Sequence, residues 1–94
     1  MFIVLLRFSG DKAKAGRFME GHKDWIRRGF DDGVFLMTGS LEPNRGGLVL
    51  AAGVPRADLE IRLSGDPFVV EGIVDAEILE VTPSRADSRL GFLA

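Results

Sequence analysis

The sequence predicts an α+β domain in which two helices pack on one face of a four-stranded antiparallel sheet. Apolar runs typical of strands alternate with segments of helical periodicity in the order strand, helix, strand, strand, helix, strand. A short loop rich in Pro, Asn and Gly joins the two middle strands, which is typical of a hairpin. The first strand is apolar on both of its alternating faces, and such a strand is normally covered on both sides.

The length and the apolar content set the scale of the core. The chain has 94 residues, so we treat 1–94 as one domain with a C-terminal tail at 84–94. A domain of this size buries only about 60–65% of the surface that its unfolded chain exposes. Apolar residues nevertheless make up 46% of the sequence. We therefore expect a second copy of the chain to cover part of the apolar surface.

Composition and charge exclude several classes of protein. Cysteine is absent, which rules out disulfides and thiolate metal sites. The net charge of −2 offers no basic surface for nucleic acid. The longest apolar runs are five or six residues, against the roughly 20 that a membrane helix needs, and the start of the chain lacks the layout of a signal peptide. We expect a cytoplasmic protein that binds neither nucleic acid nor membrane.

The first half of the chain contains a buried strand and a long helix. The strand is Phe2 to Phe8 (FIVLLRF), and the helix is predicted from Lys12 to Asp32, where apolar side chains recur at spacings of three and four. Asp11 is a candidate N-cap and Gly33 a suitable left-handed stop. Two internal glycines each cost about 1 kcal/mol relative to alanine, so we expect an irregular first turn. They are Gly16 and Gly21.

The second half contains a hairpin, a short helix and a last strand. Strands are predicted at Val34 to Leu41 and Gly47 to Ala52, joined by the turn 42–46. A helix opens at Pro55 and runs through Leu63, and Val69 to Val81 is predicted as the fourth strand. This order is the ferredoxin-like βαββαβ plan. It leaves the second sheet face apolar and bare, so we expect two protomers to pair sheet to sheet with two-fold symmetry.

The only histidine, His22, lies on the apolar face of the long helix. It follows Phe18 by four residues and precedes Trp25 by three, and side chains at those offsets share one helical face. The imidazole is therefore expected to point toward the sheet or toward a cleft beside it. Two interpretations stay open: a buried neutral histidine bonded to a carbonyl, or a general acid–base, since imidazoles as a class titrate near neutral pH.

Asp66 is the best candidate for a partner that fixes the histidine tautomer. It precedes Pro67, which restricts it to extended geometry on a stiff turn, although Asp before Pro is also an ordinary turn residue. Arg7 is a charge within an apolar strand, and it could anchor an anionic substrate or, as we favour, extend into solvent at the sheet edge. Ser40 could donate a hydrogen bond to substrate or serve only as a turn hydroxyl.

Motifs for metals and cofactors are missing from the sequence. It has no second histidine for a metal site, no nucleophile elbow, no phosphate-binding loop and no dinucleotide fingerprint. We therefore expect a protein that uses no metal and no cofactor.

Over most of residues 1–83 the chain resembles the YCII-related domain family. The resemblance rests on the strand and long helix with His22, the segment GVFLMTG at 33–39, the apolar third strand and Asp66-Pro67-Phe68. It implies a dimeric α+β barrel of ferredoxin-like protomers. It also implies that His22 and Asp66 form an active-site pair. We expect Phe68, the aromatic residue of the same turn, to contact the substrate. Members linked to chemistry act on small ring compounds, for example by dehydrochlorination, and related dimeric barrels isomerise lactones or oxidise small molecules.

The chain departs from the family pattern at two positions. Many relatives carry a basic residue where this sequence has Met19, and many have proline where it has Ser40. Both differences affect the preference of a pocket for anions, so the resemblance transfers no substrate.

Three functional hypotheses follow. The first is a small cofactor-independent lyase or isomerase, in which His22 moves a proton on a small, cyclic or anionic substrate and Asp66 orients the ring. The second is a non-catalytic module that holds a small metabolite or mediates assembly on the same dimeric fold. A cofactor-free monooxygenase is less favoured. The expected partners are a small-molecule ligand and further copies of the chain, as a homodimer or a higher oligomer.

Overall fold

The computed structural model describes residues 1–93. The elements, listed in chain order, are β1 (Phe2–Phe8), α1 (Ala15–Asp31), β2 (Phe35–Leu41), β3 (Gly46–Ala51), α2 (Arg56–Leu63), α3 (Pro67–Val70) and β4 (Val74–Glu80). Short 3-10 segments lie at Lys12–Lys14 and Ser88–Leu93. The strands form one antiparallel sheet in the order β2-β3-β1-β4, which confirms the predicted fold class.

The register of the sheet decides which side chains face the helices. Val4 of β1 lies opposite Val49 of β3 and Ile78 of β4, so these residues share one face. Val4 and Val49 are almost fully buried under the helices, whereas their neighbour Leu5 is only partly buried on the other face. The alternation of β1 therefore separates a covered face from an open one.

The helices cover the sheet through a small set of large side chains. Trp25 of α1 and Leu59 of α2 are buried in the same core as the helix-facing strand residues. The Trp25 indole Nε1–H donates to the Arg62 carbonyl at 2.9 Å, which ties α1 to the end of α2. A side chain at Gly29 would overlap the ring of Phe35, so this glycine lets β2 approach α1.

The predicted fourth strand is wrong in its first part. The segment expected to be extended from residue 69 begins with α3, and the strand starts only at Val74. The Asp66 side chain caps α3 by accepting from the Phe68 N–H, Pro67 occupies the first helical position, and Gly72 leaves the helix with φ 68°. A cap with a proline and a glycine thus overrides the strand preference of the valine pair at 69–70.

The start of the long helix also differs from the prediction. Residues 12–14 form a 3-10 turn and α1 begins at Ala15, as the expected irregular first turn implied. The predicted Asp11 cap is wrong, because its side chain makes no capping hydrogen bond. Its carboxylate instead lies 3.7 Å from the Lys14 ammonium.

The open face of the sheet carries apolar side chains from all four strands. Met37 and Leu79 are 50% and 41% exposed. The others are partly buried: Ile3, Leu5, Leu41, Leu48 and Leu50. Pairing of two such faces stays a prediction. Within residues 1–93, no helix combines the length and the apolar character needed to cross a membrane.

Candidate functional site

His22 and Asp66 are 44 residues apart in the sequence and form a direct hydrogen bond. The His22 Nδ1 lies 2.7 Å from the Asp66 Oδ1, joining α1 to the N-cap of α3. A carboxylate only accepts hydrogen bonds, so Nδ1 carries the proton and donates it. In the neutral ring this leaves Nε2 as the lone-pair nitrogen, which is the arrangement that a histidine base requires.

Asp66 holds its position through one oxygen. Its side chain is fully buried, and Oδ1 accepts from both His22 and the Phe68 backbone N–H, the latter at 3.0 Å. Oδ2 is also buried and has no hydrogen-bond partner among residues 1–93. The same oxygen therefore caps α3 and orients the imidazole, so the position of the histidine depends on the local fold of residues 66–70.

Aromatic rings restrict the plane of the imidazole. The Phe68 ring stacks on His22 with centroids 3.9 Å apart and planes 3° from parallel. The Trp25 ring lies further away, at 5.9 Å and 22°. Stacking on one side and a hydrogen bond at Nδ1 leave the ring little freedom to rotate. The Asp-Pro-Phe segment thus supplies both groups that orient the histidine.

Gly21 explains how α3 can approach α1 closely enough for this contact. A Cβ built on Gly21 would lie 3.1 Å from the Pro67 Cγ, closer than most real contacts of this kind. Because Gly21, the residue before His22, has no side chain, Pro67 can pack against α1 at this point. In the sequence, helix propensity showed Gly21 only as a residue that destabilises the helix. The signal that could have revealed its role was a glycine in mid-helix directly before the histidine.

A cavity of about 300 Å³ opens beside His22. It lies between α1, α3 and the helix-facing side of the sheet, at the end where the hairpin of β2 and β3 closes. Most of its wall is apolar, formed by side chains that include Leu6, Phe8, Met19, Ile26, Val49 and Val74. His22 lines the cavity and Asp66 does not, so the imidazole lies between the carboxylate and the cavity. We infer that its Nε2 edge faces the space where a ligand would lie.

The other predicted contact residues do not all lie on the same side of the sheet. Ser40 and Phe68 line the cavity, as does Met19. Arg7 lies on the open face, where its guanidinium contacts Glu77 at 2.6 Å and both side chains are about half exposed. The sheet therefore separates Arg7 from the cavity of its own protomer. Thr38 also lines the cavity and was not predicted, although it precedes Ser40 by two residues and so shares its face of the strand.

The arrangement is suited to proton transfer. A histidine whose Nδ1–H is held by a carboxylate can accept a proton at Nε2, and the carboxylate stabilises the positive charge that develops on the ring. Within residues 1–93, no three His, Cys, Asp or Glu side chains are grouped so that they could hold a metal ion. The expectation that the protein uses no cofactor stays a prediction.

Comparison with known proteins gives a likeness in structure only. The sequence matches no protein-family model and no curated protein sequence. A solved structure similar to this chain is that of 5-chloro-2-hydroxyhydroquinone dehydrochlorinase from Burkholderia phenoliruptrix AC1100, in complex with 2,5-dihydroxybenzoquinone. The two agree with a TM-score of 0.69 at 11% sequence identity, over 86% of this chain and 93% of the other. This likeness shows that the two proteins share a fold.

Proposed function

We propose that this protein is a cofactor-independent enzyme of the lyase or isomerase type, which uses His22 and Asp66 as an acid–base pair on a small cyclic substrate. The observation that carries the proposal is the 2.7 Å hydrogen bond between a fully buried carboxylate and a histidine that lines a cavity. A buried carboxylate behind an imidazole is a recurrent way to keep the second ring nitrogen available as a base.

In this scheme Nε2 of His22 removes a proton from a carbon or oxygen atom of the substrate. An isomerase returns that proton from the imidazolium to another atom of the same molecule. In a lyase the electron pair left behind by the proton forms a new double bond as a leaving group departs with its own bonding pair, and the proton passes from the imidazolium to solvent. A positioned acid–base contributes about 10²–10⁴ in rate, which suffices for a substrate whose proton is already acidic.

The structural neighbour supports the substrate class. That protein is a dehydrochlorinase of a hydroxylated ring and binds a quinone. The cavity of the present chain is of matching scale, since about 150 Å³ suffices to hold benzene and the cavity offers about 300 Å³. A single ring with a few substituents is therefore the expected substrate.

We propose that the working form is a homodimer in which the open sheet faces pair. Seven partly exposed or exposed apolar side chains on that face, Leu79 and Met37 among them, support this. The pairing would cover the apolar surface that a chain of this size leaves exposed.

The test is turnover of a substrate panel by wild type and two variants. The panel contains chlorinated and hydroxylated quinols, small lactones and their acids. We expect His22→Gln and Asp66→Asn to lower kcat/KM by about 10²-fold or more. Asp24→Asn, an exposed aspartate on α1, is the matched control and should retain wild-type turnover. Turnover that both site variants preserve would refute the proposal.

A non-catalytic binding module is the second candidate. It is favoured by one observation: among the described residues lining the cavity, His22 is the only one with an ionisable side chain, so the lining offers no second acid or base. This candidate predicts saturable binding without product and unchanged affinity in His22→Gln. Product formation that depends on His22 decides against it.

A further inference from the structure

We propose that the hydroxyls of Thr38 and Ser40 form a second, uncharged polar contact in the cavity, so that the substrate carries a neutral hydroxyl or carbonyl group away from His22. This inference rests on the proposed function, because it assumes that the cavity binds the substrate. It narrows the substrate class to a single ring with two polar groups, one near His22 and one, uncharged, near Thr38 and Ser40.

The register of β2 places both hydroxyls on the cavity side. Thr38 lies opposite Val49 and Ser40 opposite Gly47, and these β3 residues pair with Val4 and Leu6 of β1, which face the helices. Positions two residues apart on a strand point the same way, roughly 7 Å apart. The two hydroxyls therefore lie side by side on the sheet wall, whereas His22 belongs to the helix wall.

Both hydroxyls are available to a ligand. Within residues 1–93, Ser9 and Ser64 are the serines whose hydroxyls donate to backbone carbonyls. Neither Thr38 nor Ser40 makes such a bond. Among residues 1–93, the buried side-chain oxygen that has no hydrogen-bond partner is Asp66 Oδ2, and neither hydroxyl is buried in that way. Since both residues line the cavity, each hydroxyl can donate to or accept from a bound molecule.

Glycines of β2 and β3 lie next to this pair. Gly39 lies between the two residues, and Gly46 and Gly47 line the same end of the cavity. A side chain at Gly46 would overlap the Leu6 carbonyl oxygen, and its φ of 132° favours glycine. Gly47 lies opposite Ser40 on the cavity-facing side of the sheet, and the absence of a side chain there leaves the Ser40 hydroxyl open to a ligand.

The cavity wall contains no charge that could pair with an anion at this end. Its described lining includes no lysine, arginine, aspartate or glutamate. An ionised carboxylate placed among Leu6, Phe8 and Val49 would lose water without gaining a cationic partner. A hydroxyl or carbonyl group exchanges its hydrogen bond to water for one to Thr38 or Ser40. The wall therefore discriminates in favour of a neutral group.

The experiment is an NMR titration with three probes: phenol, hydroquinone kept under nitrogen, and 4-hydroxybenzoate. We expect hydroquinone to bind wild type about 5- to 10-fold more tightly than phenol, the effect of one neutral hydrogen bond. We expect 4-hydroxybenzoate to bind more weakly than hydroquinone. The double variant Thr38→Val/Ser40→Ala should reduce the preference for hydroquinone over phenol below about 2-fold.

Thr38→Ser, which keeps the hydroxyl, should retain the preference, as should the control Thr82→Val, an exposed threonine outside the cavity. A preference that survives the double variant overturns the inference, as does tighter binding of 4-hydroxybenzoate than of hydroquinone. Binding of none of the probes at millimolar concentration overturns the inference and the proposed function together. Selective binding that depends on the hydroxyls, without turnover of any ring substrate, supports the inference and refutes only the enzyme.

Discussion

Replacing Asp66 by alanine should destabilise the protein by about 2–4 kcal/mol. The side chain accepts two hydrogen bonds at Oδ1, one from the Phe68 N–H at 3.0 Å and one from His22 at 2.7 Å. Loss of an N-cap costs about 1 kcal/mol, and a partly buried donor left without its acceptor costs about 1–3 kcal/mol. Removal of Oδ2, which has no partner among residues 1–93, returns part of this cost.

Asp66→Asn separates the structural role of this residue from its charge. Asparagine keeps an oxygen for both donors, and it places an amide where Oδ2 was unpaired, at a cost of about 1 kcal/mol. The asparagine variant should therefore be about 1–3 kcal/mol more stable than the alanine variant. It should still lose activity, because a neutral amide does not stabilise an imidazolium.

Urea denaturation followed by circular dichroism measures these differences, with equal m-values as the condition for comparing midpoints. For a domain of this length, each kcal/mol corresponds to about 4–8 °C in Tm, so Asp66→Ala should melt at least about 8 °C below wild type. Asp24→Ala, which removes an exposed aspartate from α1, should stay within about 0.5 kcal/mol of wild type. An alanine variant at Asp66 as stable as wild type, or less destabilised than the asparagine variant, would refute this reasoning.

Three further predictions concern the packing around the site and the sheet. Gly16→Ala, with nothing within 4 Å of its new Cβ, should raise the free energy of unfolding by about 0.5–1 kcal/mol, measured in urea. Gly21→Ala should raise it less and should lower kcat/KM, because the new Cβ meets Pro67. Equal stabilisation by the two variants with unchanged turnover would contradict the role of Gly21. Gly46→Ala should cost at least about 3 kcal/mol, because it combines a backbone overlap with a strained φ, and a loss under 1 kcal/mol would show that the hairpin can adjust. Leu50→Asp, on the open face, should convert a dimer to a monomer by light scattering at micromolar concentration, and a wild type that is already monomeric would refute the pairing of sheets.

Local patterns predicted the elements that depend on residues close in sequence. The bounds of β1 match the prediction, because a seven-residue, mostly apolar run that contains β-branched and aromatic side chains is sufficient to indicate a strand. The direction of His22 followed from its offsets to Phe18 and Trp25, since helix geometry sets which side chains share a face. Asp66 could be singled out because the following proline restricts it.

Other features depended on contacts that no local pattern encodes. Val69 and Val70 suit a strand, yet the cap and the proline before them make a helical turn. Arg7 and Thr38 are both polar residues on strands, and the sequence alone did not show which of them reaches the cavity. The register of four strands placed Thr38 beneath the helices and Arg7 on the opposite face.

The sequence by itself determined the fold class, the inward face of α1 and the choice of His22 and Asp66 as candidate site residues. Tertiary structure alone decided that the two meet at 2.7 Å, that Gly21 admits Pro67 to the surface of α1, and that hydroxyls from β2 share the cavity. The physical reason is one of range. Periodicity and capping act over a few residues, whereas a bond across 44 residues exists only after the sheet and helices have packed and set the distance between α1 and α3.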